Sequence, residues 1–364
     1  MSKKRKILMS HSAAQCWKAC PEKHYLKYKL RIKPLLQGAS LPFGIAVDTS
    51  VNHLLTHKML GREEEGLKTF KDIFIGDPQK GWDLFFDQSN IRYRRADYDA
   101  NVLIKRDRED ISEWEEELGV TAEDALKAEK QKDHKPISDK ELKLFGRLCH
   151  RSLMRKGILM LDAFVRDIYP KIKKVIAVQH KLEGNVGEYA RVGGYIDLIC
   201  ELEGYDKPVV LDLKTSSTFY DSNKIKFSEQ LHLYVEGVGE QLNTDLAGFA
   251  ILLKSMKLKE ICAKCGNVKK TRHKTCNSEQ NMVRCGGEWI GEPEGQTQLM
   301  VEALPKERRE MFMKSFSDLA VLASQDSRVQ DWDRCFDYGM CDYFHLCHYK
   351  DKTKYEFPEE EEEK

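Results

Sequence analysis

The sequence lacks long apolar runs, and it lacks an excess of charge of either sign. A membrane-spanning helix needs about 20 predominantly apolar residues, and the chain contains no such stretch. The basic segment Met1–Lys6 is followed by neither an apolar core nor a small-residue cleavage site, so we expect no secretory signal. The net charge of +1 excludes a uniformly basic, histone-like binder, but it is compatible with an enzyme whose acidic residues hold cations.

The composition is that of a folded chain that binds metal rather than one held by disulfides. Hydrophobic residues make up 41% of the 364 residues, which is ample for a packed interior. This length predicts either one large domain with insertions or two domains. The 11 cysteines follow no secretory signal, so they indicate metal sites rather than disulfides. Cys149 and Cys200 lie in apolar runs, and we expect them in the core.

Hydrophobic periodicity divides the chain into a helical first half and an α/β second half. Helical spacing recurs through residues 10–60 and again over Leu142–Tyr169. Beyond Lys171 the pattern predicts a helix over Phe227–Gly239 and strands over the following segments: Val175–Leu182, Arg191–Leu202, Pro208–Lys214 and Ala247–Leu253. Three strands, a helix and a further strand predict an α/β core.

Shifts in composition divide the chain further. We expect an N-terminal helical segment (1–60), a charged helical region (61–170), the core (171–260), an insertion (261–290), C-terminal helices that include Pro305–Ser324 (291–350) and an acidic tail (351–364). The insertion is rich in Cys, Gly and charged residues and poor in apolar ones. The run Glu359–Glu363 is typical of a disordered tail.

Two carboxylates and a lysine occupy neighbouring predicted strands. Asp212 and Lys214 are two residues apart on one strand, so their side chains share a face. A hairpin would bring Asp197 beside Asp212, and a divalent cation is the usual means of keeping two such carboxylates ionised. The cation would polarise a phosphoryl oxygen, and Lys214 would orient the nucleophile or stabilise developing charge. The plainer alternative is that both Asp residues cap turns and that Lys214 lies on the surface.

The motif series of the core resembles that of a known enzyme family. Gln230 and Tyr234 are four residues apart, so they share a face of the next helix. The series Gly194–Asp197, Asp212–Lys214 and Gln230–Tyr234 resembles the PD-(D/E)XK nuclease superfamily, in its RecB-like and CRISPR-adaptation-nuclease-like exonuclease branch. The Cys20-Pro21 helix end and the Phe43–Val47 segment extend the resemblance towards the N-terminus.

The resemblance implies both a fold and a set of site residues. The fold is a restriction-endonuclease-like α/β core, a mixed central sheet flanked by helices, here with a helical N-terminal region and an inserted zinc-binding knuckle. The implied catalytic residues are Asp197, Asp212, Lys214, Gln230 and Tyr234. Asp197 and Asp212 would hold Mg²⁺ or Mn²⁺.

Two positions depart from the family pattern. Asp48 stands where the family often has a metal-binding His, and its carboxylate is an acceptable third ligand for Mg²⁺ or Mn²⁺. His53 and His57, one to two helical turns on, are alternatives. Gln179 stands where the family often has a Glu, so the site has one negative charge fewer.

Four cysteines of the insertion have the spacing of a structural zinc site. They are Cys262, Cys265, Cys276 and Cys285, and a Gly follows both the second and the fourth. Paired cysteines on tight turns suit tetrahedral Zn²⁺. His273 is an alternative ligand.

Basic residues surround this predicted zinc site. We expect Lys269, Lys270 and Arg272 to touch DNA phosphates in a contact that tolerates any base sequence. The alternative is that they offset the formal negative charge of a zinc–thiolate centre.

Three more cysteines lie towards the C-terminus. In the resembled branch an N-terminal Cys joins a C-terminal trio to hold a [4Fe–4S] cluster that ties the two ends of the chain together. The resemblance assigns this role to Cys20, Cys335, Cys341 and Cys347, with Cys16 as a spare ligand. Four thiolates suffice for either a cluster or zinc, so the spacing leaves the metal open.

The resemblance also implies a function. We expect a metal-dependent DNA nuclease, an exonuclease acting on single strands or DNA ends in bacterial or phage replication, recombination or repair. Its expected partners are DNA and a helicase, recombinase or single-strand-binding protein, in the bacterial cytoplasm and without a membrane. Two alternatives are a catalytically degenerate nuclease-fold subunit that binds DNA or assembles a complex, and a zinc-ribbon protein unrelated to nucleases.

Overall fold

A computed structural model describes most of the chain. The described residues are 7–86, 90–128, 137–186, 190–269, 274–276, 278–280, 283–325, 330–331, 333–335 and 340–358. The acidic run Glu359–Glu363 and the residues Lys270, Arg272 and His273 lie outside these ranges.

Most of the α-helices lie in the first half of the chain. In the described ranges the α-helices are α1 (His11–Ala19), α2 (Pro21–His24), α3 (Ser40–Met59), α4 (Glu63–Gly76), α5 (Lys105–Leu118), α6 (Ala122–Ala128), α7 (Asp139–Asp167), α8 (Ser222–Lys226), α9 (Glu229–Leu242), α10 (Lys306–Ser324) and α11 (Phe344–Tyr349). A π-helical turn, Tyr25–Lys29, follows α2. Among all the residues that the structure describes, no helix combines the length and the apolar character that a bilayer crossing requires.

The strands build one mixed sheet and several short pairs. They are β1 (Ile7–Met9), β2 (Lys33–Pro34), β3 (Gln37–Gly38), β4 (Ile91–Arg92), β5 (Ile172–Val186), β6 (Ala190–Leu202), β7 (Val209–Ser216), β8 (Leu246–Cys262), β9 (Glu279–Gln280), β10 (Val283–Arg284), β11 (Trp289–Ala303) and β12 (Tyr355–Glu356). The main sheet has six strands, in the order β1-β6-β7-β8-β11 with β5 also paired to β6.

Strand β6 organises this sheet. Its whole length pairs antiparallel with β5, while its other edge is shared by two strands. The first residues of that edge pair parallel with β1, and the last ones pair antiparallel with β7. Beyond β7 the sheet continues with a parallel β8 and then an antiparallel β11.

Helices cover both faces of the main sheet. On one face α1, α9 and α10 pack around Ile199 and Val210. On the other face α3, α4 and α7 pack around Leu198 and Leu211. Neighbouring residues of one strand point to opposite faces, which is why Leu198 and Ile199 belong to different cores. This mixed sheet flanked by helices confirms the predicted fold class.

The expected core elements are all present, and one expectation was wrong. Residues 291–303, placed with the C-terminal helices, belong to strand β11. Its residues are mostly half-buried, and polar ones such as Gln296 and Gln298 weaken the apolar alternation that marks a strand. Long-range pairing with β8 decides the structure of this segment. Cys149 and Cys200 are both fully buried, as expected.

Gly248 gives a test of this packing. It lies on β8, paired to β7 on one side and to β11 on the other, and a Cβ added there would overlap the backbone oxygen of Met300. Because a backbone atom cannot move aside cheaply, we expect Gly248→Ala to lower the free energy of unfolding by about 3 kcal/mol. Denaturant titration followed by circular dichroism measures this change.

Gly184→Ala is the matched control, since Gly184 also lies in a strand and an added Cβ would meet nothing within 4 Å. We expect it to change stability by less than about 1 kcal/mol. Equal losses in the two variants would contradict the close approach of β8 and β11 at Gly248.

Candidate functional site

The candidate site lies where β6 and β7 stop pairing. The two strands are paired from Cys200↔Val209 to Leu198↔Leu211, and the ladder ends there. The next residue of β6, Asp197, accepts a hydrogen bond on Oδ2 from the backbone N–H of Leu213 at 2.8 Å. A carboxylate thus takes the place of the next backbone acceptor and holds the diverging strands together. Neither Asp197 nor Asp212 caps a turn, so that alternative was wrong.

Among the charged residues that the sequence predicts for the site, Asp212 is the most deeply buried. Only 1% of it is exposed. Its Oδ1 accepts hydrogen bonds from Gln230 Nε2 at 2.7 Å and from the Tyr234 hydroxyl at 3.4 Å. Gln230 Nε2 also donates to the Tyr234 oxygen at 2.6 Å. Both residues lie on one face of α9, so the predicted Gln-x-x-x-Tyr spacing does bring them to Asp212.

Lys214 completes this network. Its ammonium lies 2.6 Å from Asp212 Oδ2 and donates to Gln230 Oε1 at 3.2 Å. Burial is the largest influence and lowers the pKa of Lys214, but the charges of Asp212 and Asp197 and the hydrogen bond to Asp212 together outweigh it, and the net shift is upward. Lys214 is therefore held positively charged while 35% of its side chain stays exposed.

Asp48 and Gln179, the two departures from the family pattern, both lie at the site. Gln179 donates from Nε2 to Asp197 Oδ1 at 3.1 Å, so its amide fixes a carboxylate instead of supplying one. Its φ of +49° is rare for a residue with a side chain, and strain of this kind is often found at functional sites. Asp48, on α3, accepts a hydrogen bond from Asn52 Nδ2 at 2.8 Å.

The three carboxyls are electrostatically strained without a cation. Burial, followed by the charge of Asp197, raises the pKa of Asp48 to about 7. Burial also raises the pKa of Asp212 to about 7, with Lys214 opposing and Asp197 adding to the shift. Burial raises the pKa of Asp197 as well. Protons occupy such a site until a divalent cation replaces them.

The donor set fits a hard divalent cation. Asp212 Oδ2 is buried and, among the described residues, accepts no hydrogen bond of good geometry despite its ion pair with Lys214. Carboxylate oxygens are the ligands that Mg²⁺ and Mn²⁺ prefer. The oxygens of Asp48, Asp197 and Asp212 do not all lie within 4.8 Å of one another. Because Mg²⁺ usually retains several waters, Asp48 is suited to contact it through water.

A cavity of about 410 Å³ opens onto these groups. Asp48, Asp197 and Lys214 line it together with Leu41 and Ile45, whose side chains are exposed. The cavity therefore offers both charged groups and apolar contacts.

His11 lies near enough to Lys214 to interact with its charge, and the sequence analysis missed this residue. It begins α1, and burial lowers its pKa to about 4, with Lys214 and Lys18 adding to the shift and Glu229 opposing it. The imidazole is therefore neutral at pH 7. Gln15 Nε2 donates to Glu229 Oε2 at 2.9 Å, and this contact helps to pack α1 against the start of α9. No sequence spacing links His11 to Lys214, so only this packing reveals it.

The four cysteines predicted to bind zinc converge. Their sulfurs all lie within 4.8 Å of one another, with Cys262–Cys285 at 3.5 Å and Cys265–Cys276 at 3.6 Å. Tetrahedral zinc with bonds of about 2.3 Å requires sulfurs about 3.8 Å apart. Hydrogen bonds from the Asn267 backbone and then from Ser278 lower the pKa of Cys265 to about 6. The cluster can bind a metal such as zinc.

Two tight turns shape this cluster. Gly266 (φ +71°) and Gly286 (φ +61°) follow the second and fourth cysteines in a backbone conformation that glycine adopts without strain. The cluster lies at the end of the β8–β11 hairpin, since Cys262 pairs with Trp289. Of the basic residues assigned to DNA contact, Lys269 lies 2.8 Å from Glu260 Oε1, and Lys270 and Arg272 lie outside the described residues.

The four cysteines from the two ends of the chain share one small cavity, separate from the cavity at Asp197. Cys20, Cys335, Cys341 and Cys347 all line it. Within the described ranges their sulfurs do not meet the 4.8 Å condition that the zinc cysteines satisfy. The Tyr343 hydroxyl donates to the Ile32 carbonyl at 2.6 Å, and β12 pairs with β2, so the two ends are joined beside this cavity.

A sheet that presents two carboxylates and a lysine where strands diverge is suited to metal-dependent phosphodiester hydrolysis. A family model of the PD-(D/E)XK nuclease superfamily matches residues 8–348. The chain therefore belongs to this superfamily of metal-dependent nucleases, and the alternative of an unrelated zinc-ribbon protein was wrong.

Other comparisons add little. No curated protein matches the chain. One solved structure that it resembles is described as "Crystal structure of SSO0001", with 13% sequence identity and a TM-score of 0.27 over 66% of this chain and 81% of that one. A TM-score of this size supports no argument about fold or function.

The raised pKa of Asp212 predicts how cation binding depends on pH. Its folded pKa of about 7 exceeds the ordinary 3.8, so its contribution to stability is complete below about pH 4 and is lost as the pH rises through 7. A bound cation offsets this loss of stability most at high pH, where protons do not compete with it for the carboxylate. We expect Mn²⁺ to raise the thermal midpoint clearly more at about pH 8 than at about pH 6.

Differential scanning fluorimetry with and without Mn²⁺ measures this shift. Asp212→Asn is the control, because it removes the titrating group and leaves both cysteine sets intact. A Mn²⁺ shift that is the same at both pH values, or that persists in Asp212→Asn, would contradict cation binding at these carboxylates.

Proposed function

We propose that this protein is a Mg²⁺- or Mn²⁺-dependent deoxyribonuclease, an exonuclease that hydrolyses single strands or DNA ends. The observation that carries the proposal is the closed network of Asp212, Gln230, Tyr234 and Lys214 beside Asp197. Such a network holds two carboxylates and one ammonium in fixed positions around a space for a phosphate. The Asp212 carboxylate is buried, and its Oδ2 lies 2.6 Å from the Lys214 ammonium, so the metal ligand and the lysine would act on the same phosphate.

Each residue has a distinct role in this proposal. Asp197 and Asp212 hold the cation, and Asp48 assists. When bound, the cation polarises a phosphoryl oxygen and makes its water more acidic. Lys214 orients the attacking water and stabilises the charge that develops on the phosphate. Gln230 and Tyr234 position Asp212 and Lys214.

The order of motifs supports the finer assignment to the RecB-like and CRISPR-adaptation-nuclease-like branch. In that assignment Cys20, Cys335, Cys341 and Cys347 hold a [4Fe–4S] cluster and the hairpin cysteines hold structural zinc. One cavity lined by all four terminal cysteines supports a shared metal centre, because four thiolates suffice to hold a cluster. Lys269, Lys270 and Arg272 would add phosphate contacts.

The proposed setting is DNA replication, recombination or repair in the cytoplasm of a bacterial cell, whether encoded by the cell or by a phage. The partners in this setting are DNA and a helicase, recombinase or single-strand-binding protein. A degenerate DNA-binding or complex-assembly subunit is the second candidate. It is favoured by Gln179, which donates to Asp197 where a carboxylate would bind metal.

Substitution of the network tests the proposed activity. We expect Asp212→Asn and Lys214→Ala each to slow cleavage of end-labelled single-stranded DNA by at least about 100-fold, because each removes charge stabilisation at the reacting phosphate. Time courses with Mn²⁺ on denaturing gels measure the rate.

Lys207→Ala is the matched control, because Lys207 is a half-buried lysine in the turn between β6 and β7 whose partner is Asp245. It should cleave like the unmodified protein. Cleavage at the normal rate by either network variant would refute the assignment. DNA binding without cleavage by the unmodified protein would favour the degenerate subunit.

The two cysteine sets predict separable metals. Protein purified without oxygen should be brown, with broad absorbance near about 400 nm from an iron–sulfur cluster. We expect Cys341→Ser to lose the colour and the iron while keeping one zinc per chain. Cys276→Ser should lose the zinc and stay brown. Colourless anaerobic protein with two zinc ions per chain would show that both sets bind zinc.

A further inference from the structure

A second cavity continues from the candidate active site. It has a volume of about 360 Å³, and Ser40 and Leu41 line both this cavity and the one above Asp197. Leu41 is 61% exposed at the junction. The two cavities thus form one groove that leads away from the site. We refer to the second part as the basic cavity.

The charges of the two cavities differ in sign. The active-site cavity contains Asp48, Asp197 and Lys214, so acidic groups predominate there. The basic cavity is lined by more cations than carboxylates: Lys23, Arg92, Arg94 and Arg334 against Asp331 and Asp342. Phosphates that enter the acidic cavity require a cation, whereas those in the basic cavity meet guanidinium groups directly.

The basic wall is built by contacts between distant segments. Gly38 on β3 pairs with Arg92 on β4, and the Ala39 N–H donates to the Arg92 carbonyl at 3.1 Å. Asp342 lies 3.2 Å from Arg92 Nη2 and 3.8 Å from Lys23 Nζ. These contacts fix two cations on one wall. Arg94, two residues beyond Arg92, is exposed on the same cavity.

We propose that the basic cavity binds backbone phosphates of the nucleic acid strand whose scissile phosphate lies at Asp197 and Asp212. Arg92 and Arg94 contact the phosphates, and Leu41 contacts sugar or base at the junction. The phosphate contacts of Arg92 and Arg94 carry no base specificity, because phosphates are the same at every nucleotide. This inference rests on the proposed nuclease function and adds to it the path that the strand follows.

Binding of a single strand tests the inference. On an Asp212→Asn background, which prevents cleavage in every arm, we expect Arg92→Ala/Arg94→Ala to weaken binding of a strand of about 20 nucleotides roughly tenfold. The plot of log affinity against log salt should become less steep by about 1.4, since each phosphate contact contributes about 0.7. Fluorescence anisotropy of labelled strands measures these affinities.

Two further double variants serve as controls for a change of fold or of net charge. Arg92→Lys/Arg94→Lys keeps the charge and should retain most of the affinity and the salt slope. Arg106→Ala/Arg108→Ala removes two exposed arginines of α5 that do not line the basic cavity, and it should bind like the parent.

The outcomes distinguish a failure of the proposed strand path from a failure of the proposed nuclease activity. Unchanged affinity and salt slope in the Arg92/Arg94 alanine variant would overturn the inference, and so would equal losses in the Arg106/Arg108 variant. If the Arg92/Arg94 effect appears but the unmodified protein cleaves nothing, the proposed nuclease activity fails and the strand-binding groove stands.

Discussion

The candidate site depends on two carboxylates that repel each other but are held close together at the point where β6 and β7 separate. Asp197 bridges the diverging strands through the backbone N–H of Leu213, and Asp212 is buried beneath α9. Neither group can move away from the other, because each is fixed by hydrogen bonds to different elements. Lys214 offsets part of this charge, and a divalent cation is the natural partner for the rest.

The helices around the sheet hold this unfavourable arrangement in place. Gln230 and Tyr234 come from a helix that is anchored in the core by Leu231, Val235 and Val238, so their positions are set by packing rather than by the site itself. Gln179 occupies a strained backbone conformation and donates to Asp197. The Gln179 amide donates a hydrogen bond to Asp197 and, unlike a Glu, adds no negative charge to the site. Fewer carboxylates therefore share one cation.

The two cysteine sets occupy very different settings. The hairpin set is local: its four cysteines lie within 24 residues of one another, and their sulfurs already converge. The terminal set joins residues more than 300 positions apart, and it lies beside the contacts that close the chain, Tyr343 with Ile32 and β12 with β2. A metal in the first set stabilises one hairpin, whereas a metal in the second stabilises the joined ends of the whole chain. The basic cavity shares Cys20, Cys335 and Cys341 with the terminal set, so the same closure shapes the proposed strand path.

The sequence by itself determined the α/β core, the Asp212–Lys214 pair, the Gln230–Tyr234 face and the four cysteines of the hairpin. The core and the two site pairs follow from short-range periodicity, because residues two apart on a strand or four apart on a helix share a face wherever the element packs. The cysteines follow from their pairing on tight turns. Only the tertiary structure decided that residues 291–303 form a strand, that His11 interacts with the charge of Lys214 and that Arg92 and Cys20 line one cavity. Those relations join segments far apart in the chain, and no local pattern encodes them. They arise when the sheet, the helices and the two ends pack together.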